Sequence, residues 1–187
     1  MSMEATRRRL TEKQADTVEK LTRAAMEVLS REGFAGLTVR MVAAAAGVGT
    51  ATAYTYFSSK EHLVAEMFWR RLAATPPPEN EGADSTQRVV AVLRQVAMLV
   101  ADDPALAGAV TSALLGTDPD VAHLRLRIGA EIRNRLVEAL GADLDPKLVD
   151  TLEMLYAGAM LRAGIGYGSY AEIADRLEKA ARQVLPN

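Results

Sequence analysis

Apolar side chains recur every three or four positions along most of the chain, which is the spacing of one face of an α-helix. No stretch alternates between apolar and polar residues as a half-buried strand would. The first apolar series predicts a helix that ends near Gly33, a residue type that suits a helix C-terminus. Its members are Val18, Leu21, Ala25 and Val28. The pattern as a whole predicts an all-α fold of about nine helices.

Three Asp-Pro pairs mark helix starts in the second half of the chain. Aspartate suits the N-cap, and proline suits the first helical position, where its missing N–H costs nothing. The pairs are Asp103-Pro104, Asp118-Pro119 and Asp145-Pro146. The predicted helices in this half cover 85–101, 104–115, 119–140, 145–163 and 169–185. The helix over 145–163 is apolar around most of its circumference, so we expect it to be covered on two sides, by its own core and by either a partner subunit or more core.

Residues 38–60 predict two short helices around a tight turn. Thr38 can cap the first helix, which runs to Ala46. Gly47 supplies the backbone freedom that a sharp corner needs. Gly49 and Thr50 begin the second helix, which ends at Phe57. This is the layout of a helix-turn-helix, in which the second helix enters the major groove of DNA.

The second helix has two distinct faces, because successive residues advance by about 100°. Ala53 and Phe57 share the face that packs inward. The opposite face is small or hydroxylic, so it can approach base edges, and flanking tyrosines can reach phosphates. A capping box with Ser58 as cap and Glu61 three residues later predicts that another helix, over 58–73, starts beside this surface. The predicted DNA-contacting residues are Arg40, Gly49, Thr50, Ala51, Thr52, Tyr54, Thr55, Tyr56 and Lys60.

The two short helices resemble the DNA-binding signature of the tetracycline-repressor (TetR) family. The resemblance lies in the run Thr-Val-Arg-x-Val-Ala-x-x-Ala-Gly-Val from Thr38 and in Thr-Ala-Tyr-x-Tyr-Phe-x-Ser-Lys-Glu-x-Leu from Thr52. Two positions depart from the usual pattern: Ala51 stands where glycine is common, and Ala53 where a larger aliphatic residue is common. The resemblance implies a DNA-binding head over residues 11–74, with its motif at 38–57, and a ligand-binding and dimerisation body over residues 75–187.

The family resemblance also implies a pocket for a small-molecule effector and a homodimer formed by the last two helices. Methionines suit an adaptable pocket, although core packing explains each of them as well. Arg162 lies in an apolar run, where it can pair with an anionic ligand or with an aspartate across the dimer. The pocket candidates are Met67, Met98, Met154 and Arg162, with Met160 and Trp69 as further possibilities.

Charge is distributed unevenly between the two halves. Residues 1–74 carry 11 Lys and Arg against 8 Asp and Glu, and residues 75–187 carry 11 against 16, which together give the net charge of −2. Screening limits attraction to charges near the phosphates, so a basic head can bind DNA despite an acidic body. The basic run Arg7 to Arg9 is either an arm that reaches along DNA or an ordinary solvated tail.

No residue pattern indicates catalysis, a metal site or a cofactor. The chain has no cysteine, and His62 and His123 lack partners at ligand spacing. No apolar run approaches the roughly 20 residues of a membrane span, and the N-terminus lacks the apolar segment of a secretory signal, which fits a cytoplasmic protein. We therefore expect a non-enzymatic, ligand-responsive regulator, most simply a repressor, that binds a palindromic double-stranded DNA operator as a dimer. The alternative is a helical ligand-binding or protein-interaction module that no longer recognises specific DNA.

Overall fold

The computed structural model describes residues 12–79 and 82–185. Within these residues it contains nine α-helices, no strand, and one 3-10 turn at Gly141–Asp143. The helices are α1 (Glu12–Gly36), α2 (Val39–Ala45), α3 (Thr50–Tyr56), α4 (Lys60–Ala74), α5 (Ser85–Met98), α6 (Pro104–Leu114), α7 (Pro119–Leu140), α8 (Pro146–Gly164) and α9 (Tyr170–Val184). The predicted all-α fold is confirmed. The basic run at residues 7–9 lies outside the described residues.

The first three helices form a compact head at one end of the molecule. α1 packs against α2, and α2 packs against α3. The contact between them is apolar: Leu21, Val28 and Val42 are fully buried. Because α2 and α3 have only seven residues each, the packing of α2 on α1 and of α3 on α2 must stabilise them, since isolated helices of this length are unstable in water.

The remaining helices form a body that shares one continuous hydrophobic core with the head. α9 packs on α5 and α8, and α7 packs on α5. α4 follows the head in sequence but packs on α6 and α7, and α1 also rests on α6. α4 therefore begins at the end of α3 and runs along the body, so it touches both parts of the molecule.

The Asp-Pro pairs begin helices as expected. The carboxylates of Asp103, Asp118 and Asp145 each accept a hydrogen bond from a backbone N–H in the first turn, and proline follows each of them. Ser169 caps α9 in a capping box with Glu172. These local signals fixed the helix starts because a cap satisfies backbone donors with atoms that are close in sequence.

Helix ends differ from expectation in two places. Gly33 does break α1, with φ of 66°, but one more helical turn follows it and ends at Gly36. α5 ends at Met98 rather than at residue 101, because the chain tightens into turns in which the N–H of Leu99 bonds to the carbonyl of Val96. These turns bring Asp103 into position to cap α6.

The cap of α4 is Ser59 and not Ser58, so the predicted capping box is wrong by one residue. The hydroxyl of Ser59 accepts a hydrogen bond from the backbone N–H of His62 at 3.0 Å. Ser58 is held elsewhere, because its own backbone N–H donates to Nδ1 of His62 at 3.2 Å. Two adjacent serines offer similar local caps; Ser59 caps α4, and the hydroxyl of Ser58 instead donates to Asp118 of the body.

Candidate nucleic-acid interface and ligand cavity

The corner between α2 and α3 is built as the residue types require. Oγ1 of Thr38 accepts a hydrogen bond from the N–H of Met41 at 3.2 Å and caps α2. Gly47 adopts a φ of 63°, which an L side chain rarely tolerates. The N–H of Val48 then donates to the carbonyl of Ala43 at 2.9 Å and closes the turn. This geometry sets the direction of α3.

α3 buries one narrow stripe and exposes the rest. Ala53 is completely buried and Phe57, which follows the last residue of the helix, is 2% exposed. The exposed residues of α3 are small or hydroxylic apart from one tyrosine: Thr50, Ala51, Thr52, Tyr54 and Thr55. Gly49, the N-cap of the helix, is also exposed. The helix thus presents a slim polar ridge to solvent.

The two tyrosines that flank the ridge have different environments. Tyr54 is 51% exposed and projects outward. Tyr56 is half-buried and packs against the core. Within the ridge, Oγ1 of Thr55 donates to the carbonyl of Ala51 at 3.1 Å, so this hydroxyl already has a partner on its own helix. Tyr54 is therefore the more available of the two phenols.

The two cations predicted to flank the ridge also differ. Arg40 is exposed in the first turn of α2. Nζ of Lys60, at the first position of α4, donates to the carbonyls of Phe34 and Ala35 at 2.9 and 3.2 Å, and lies 4.7 Å from the ring centroid of Phe34. The ammonium thus neutralises the carbonyl end of α1, where a cation is favourable.

A polar cluster joins the start of α4 to the start of α7. Oγ of Ser58 donates to Oδ2 of Asp118 at 3.0 Å and lies 3.1 Å from Nδ1 of His62. Nδ1 of His62 is also 3.7 Å from Oδ2 of Asp120. Ser58 directly follows Phe57, the inward anchor of α3. The cluster is therefore a direct polar contact between the residue that follows the end of the α3 ridge and the body.

Asp118 is an ionised group within this cluster. Partial desolvation would raise its pKa, but hydrogen bonds from Ser59, from the N–H of Asp120 and from Ser58 together hold the pKa of Asp118 below its ordinary value. Because the charged carboxylate accepts these bonds, they strengthen when it is ionised. The contact between head and body is thus made by a carboxylate and not by a neutral acid.

A half-open cavity of about 570 Å³ lies in the body, between α4, α5, α6, α7, α8 and the first residue of α9. Its volume lies within the usual range for small-molecule sites. The walls are mainly aliphatic and include Phe68 of α4. The apolar lining residues are Phe68, Val96, Val100, Val110, Leu114, Leu115, Ile128, Ile132, Ala157, Met160 and Leu161.

Few polar groups border the cavity. Two are the phenols of Tyr156 and Tyr170, whose pKa values are raised by burial, so both remain protonated donors. The hydroxyl of Tyr170 donates to the carbonyl of Ala107 at 2.9 Å. The other polar lining residues are Thr111, Arg125 and Glu153.

The four residues predicted to line a pocket do not border this cavity. Met67 and Met98 lie at two shallower depressions. Met154 is exposed, and the guanidinium of Arg162 stacks over the ring of Tyr167, 5.1 Å from its centroid. Trp69 is likewise not a lining residue; the guanidinium of Arg127 lies 4.2 Å from its ring centroid. The helical period of the sequence does not reveal which side of each helix faces a void.

The described residues contain no group of three or more His, Cys, Asp or Glu side chains placed to hold a metal ion. No helix in the same residues combines the length and the apolar character needed to cross a membrane. The candidate sites are therefore the exposed ridge of α3 and the cavity in the body.

Comparison with known proteins identifies the family. Residues 21–67 match the family described as bacterial regulatory proteins, tetR family. An HTH-type transcriptional regulator of Mycobacterium tuberculosis is 47% identical over 167 residues, covering 88% of this chain and 78% of the relative. The chain belongs to the TetR family of transcriptional regulators. Members of this family are helix-turn-helix DNA-binding proteins and not enzymes.

More distant relatives agree with this assignment. The HTH-type transcriptional repressor KstR of Rhodococcus jostii is 27% identical to this TetR-family chain over 139 residues, covering 71% of the chain and 63% of KstR. The fold matches that of a TetR transcriptional regulator from Rhodococcus sp. RHA1, with a TM-score of 0.75, 21% identity, and coverage of 93% of this chain and 97% of that one.

Proposed function

We propose that this TetR-family regulator is a ligand-responsive repressor, which binds a palindromic operator as a homodimer and is released by a small-molecule effector. The observation that carries this proposal is the position of α4. Its first residues adjoin the end of α3, and its Phe68 forms part of the cavity wall. A ligand that fits the cavity better in one position of α4 will shift the orientation of the head. The protein then acts in the cytoplasm, where operator DNA is accessible.

In the head, which we take to end at Ala74, some exposed residues suit contacts with base edges and others suit contacts with phosphates. Thr50, Ala51 and Thr52 are exposed at the start of α3 and suit contacts with base edges. Tyr54 and Arg40 are exposed beside them and suit phosphates. Lys60 contributes indirectly, because its ammonium holds the carbonyl end of α1.

Replacing Tyr54 tests this assignment. We expect Tyr54→Ala to weaken binding to the DNA upstream of the protein's own gene by about tenfold, the loss of roughly one charge-directed contact. The measurement is fluorescence anisotropy at several salt concentrations, because phosphate contacts make affinity salt-dependent. Tyr167→Ala is the matched control, since Tyr167 is also an exposed tyrosine but lies in the body.

Two results would reject the assignment. Equal losses for Tyr54→Ala and Tyr167→Ala would mean that α3 does not bind DNA. Equal affinity of the unaltered protein for the upstream region and for a shuffled fragment would instead favour the alternative function, a helical ligand-binding or protein-interaction module.

The dimer is supported by an exposed apolar stripe on α8. Met154 is 68% exposed and Ile165 is 57% exposed, and Leu161 lies between them on the same side. Exposed apolar patches of this kind mark interaction surfaces. The outward face of α9 is charged, with Asp175, Arg176, Lys179 and Arg182 exposed. We therefore place the centre of the two-fold interface on α8, with α9 at its rim.

Met154→Lys tests the interface, because it introduces a charge at the most exposed residue of the stripe. We expect light scattering after size exclusion to change from the mass of a dimer to that of a monomer, and operator affinity to fall in parallel. Leu144→Lys, at an exposed leucine in the 3-10 region before α8, is the matched control. A Met154→Lys protein that stays dimeric would exclude this face as the interface.

A further inference from the structure

The cavity has an unusual charge balance. Two charged side chains border it, Arg125 and Glu153. The carboxylate of Glu153 is already paired with Nη1 of Arg133, which also bonds Asp150 at 2.8 Å. Arg125 has no carboxylate partner among the described residues. The mainly aliphatic wall of the cavity therefore carries, at its solvent-exposed side, one cation that has no ion-pair partner among the described residues.

Arg125 holds its guanidinium in place with one nitrogen only. Nη1 donates to the carbonyls of Leu114 and Gly116, both at 2.7 Å. In the part of the chain that the structure describes, no partner is found for Nε or Nη2. These two nitrogens form one edge of the planar guanidinium, and two parallel N–H bonds from such an edge match a carboxylate. The residue is thus oriented by the protein while its carboxylate-binding edge remains free.

The carbonyls that hold Arg125 belong to the loop that contacts the head. Gly116 lies against Glu61 of α4, where a Cβ on the glycine would come within 3.3 Å of Cγ of Glu61. Two residues later, Asp118 accepts the hydrogen bond from Ser58. Arg125 therefore borders the cavity on one side and fixes the loop between α6 and α7 on the other.

We propose that the cavity takes an apolar ligand that bears a single carboxylate, and that the carboxylate binds the free edge of Arg125. This inference rests on the proposed function, because it names the chemical class of the effector. The aliphatic walls bind the apolar body, and Tyr156 offers a neutral hydroxyl further inside. A doubly charged phosphate fits less well, because one guanidinium cannot neutralise it beside Glu153.

The same geometry connects the ligand to the head. A carboxylate on Nε and Nη2 binds the same guanidinium whose Nη1 holds the carbonyls of Leu114 and Gly116. The ligand is thereby linked through Arg125 to the loop that carries Asp118, and through Asp118 to Ser58. Ligand binding and DNA binding become coupled to the extent that the ligand prefers one position of this loop.

A matched pair of ligands tests the proposal. Dodecanoate and its neutral methyl ester have the same apolar chain, and calorimetric titration below micellar concentrations gives both affinities. We expect the intact protein to bind dodecanoate about tenfold more tightly than methyl dodecanoate, because a charged hydrogen-bonding partner is lost in the ester. In Arg125→Met we expect the two affinities to become equal, because the affinity for dodecanoate falls while that for the ester does not.

Two further variants provide controls. Arg162→Met removes the arginine that stacks on Tyr167 outside the cavity, and it should keep the preference for dodecanoate. Arg125→Lys keeps the charge but not the planar fork, so part of the preference should return. Circular dichroism confirms that each variant is folded.

Equal affinities of the intact protein for acid and ester, or a preference that survives Arg125→Met, would overturn the role of Arg125. Absence of binding by both ligands would overturn the proposed ligand class. Failure of the proposed function would be seen in a different experiment: in the absence of any ligand, the protein would bind its upstream DNA no more tightly than a shuffled fragment.

Discussion

Arg135 makes the contacts that fix the far end of α4, and its removal is the most direct test of how this helix is held. The side chain is 4% exposed, although it is charged. Nη2 donates to the carbonyls of Leu72 and Thr75 at 2.8 and 2.9 Å, and Nε donates to Glu131 at 2.8 Å. One buried cation from α7 thus binds two carbonyls at the C-terminal end of α4: that of Thr75, and that of Leu72, which also accepts the N–H of Thr75.

Arg135→Met keeps most of the apolar stem and removes these hydrogen bonds. The substitution leaves the carbonyl of Thr75 without this partner, which costs about 1–3 kcal/mol for a buried acceptor. The carbonyl of Leu72 keeps the N–H of Thr75, and Glu131 is partly exposed and can be rehydrated. We therefore expect a loss of about 2 kcal/mol, which for a chain of this size lowers the melting temperature by roughly 4–8 °C. Hydrogen exchange at the end of α4 should increase with it.

The assay is thermal unfolding at a fixed protein concentration, because subunit association makes the midpoint concentration-dependent. Arg133→Met is the control from the same helix, since Arg133 forms ion pairs but its side chain is 41% exposed. Exposed ion pairs contribute little, so its midpoint should change much less. A decrease under about 2 °C for Arg135→Met, or one equal to that of Arg133→Met, would refute the reasoning.

Two other substitutions test the packing and the polar cluster. Gly164→Ala should cost about 1–3 kcal/mol in a denaturant titration, because the added Cβ would overlap Oγ1 of Thr111 and lie 2.8 Å from its Cγ2; unchanged stability would mean that α6 and α8 are not so close. Asp118→Asn should destabilise the protein at neutral pH, since the lowered pKa of Asp118 means that its carboxylate stabilises the fold above the ordinary value of 3.8 and loses this effect as pH falls through the lower, folded pKa. The difference in melting temperature between the unaltered protein and Asp118→Asn should therefore shrink below about pH 4; a difference that is constant with pH would exclude an ionic role.

The sequence alone determined the helices and the exposed ridge of α3. Caps such as Thr38 and Asp103, and the turn at Gly47, act through atoms that are close along the chain, so their residue types predict local geometry. The inward stripe of α3 follows from helical period, and Ala53 is buried as that period predicts. Family identity was also present in this stretch, because the corner and the ridge are both short-range features.

Only the tertiary structure decided which side chains meet across the body. Met67, Met98, Met154 and Arg162 miss the cavity, whereas Met160 borders it. Helical period gives a direction around one helix axis and not the position of a gap between six helices. The contacts of Arg135 with α4 span about sixty residues of sequence, and Ser58 meets Asp118 at the same separation. Arg125 combines a local contact with a distant one, since it bonds the adjacent loop yet borders a cavity formed by helices from the whole body. Such contacts depend on the relative placement of several helices, which is set by packing of the entire core.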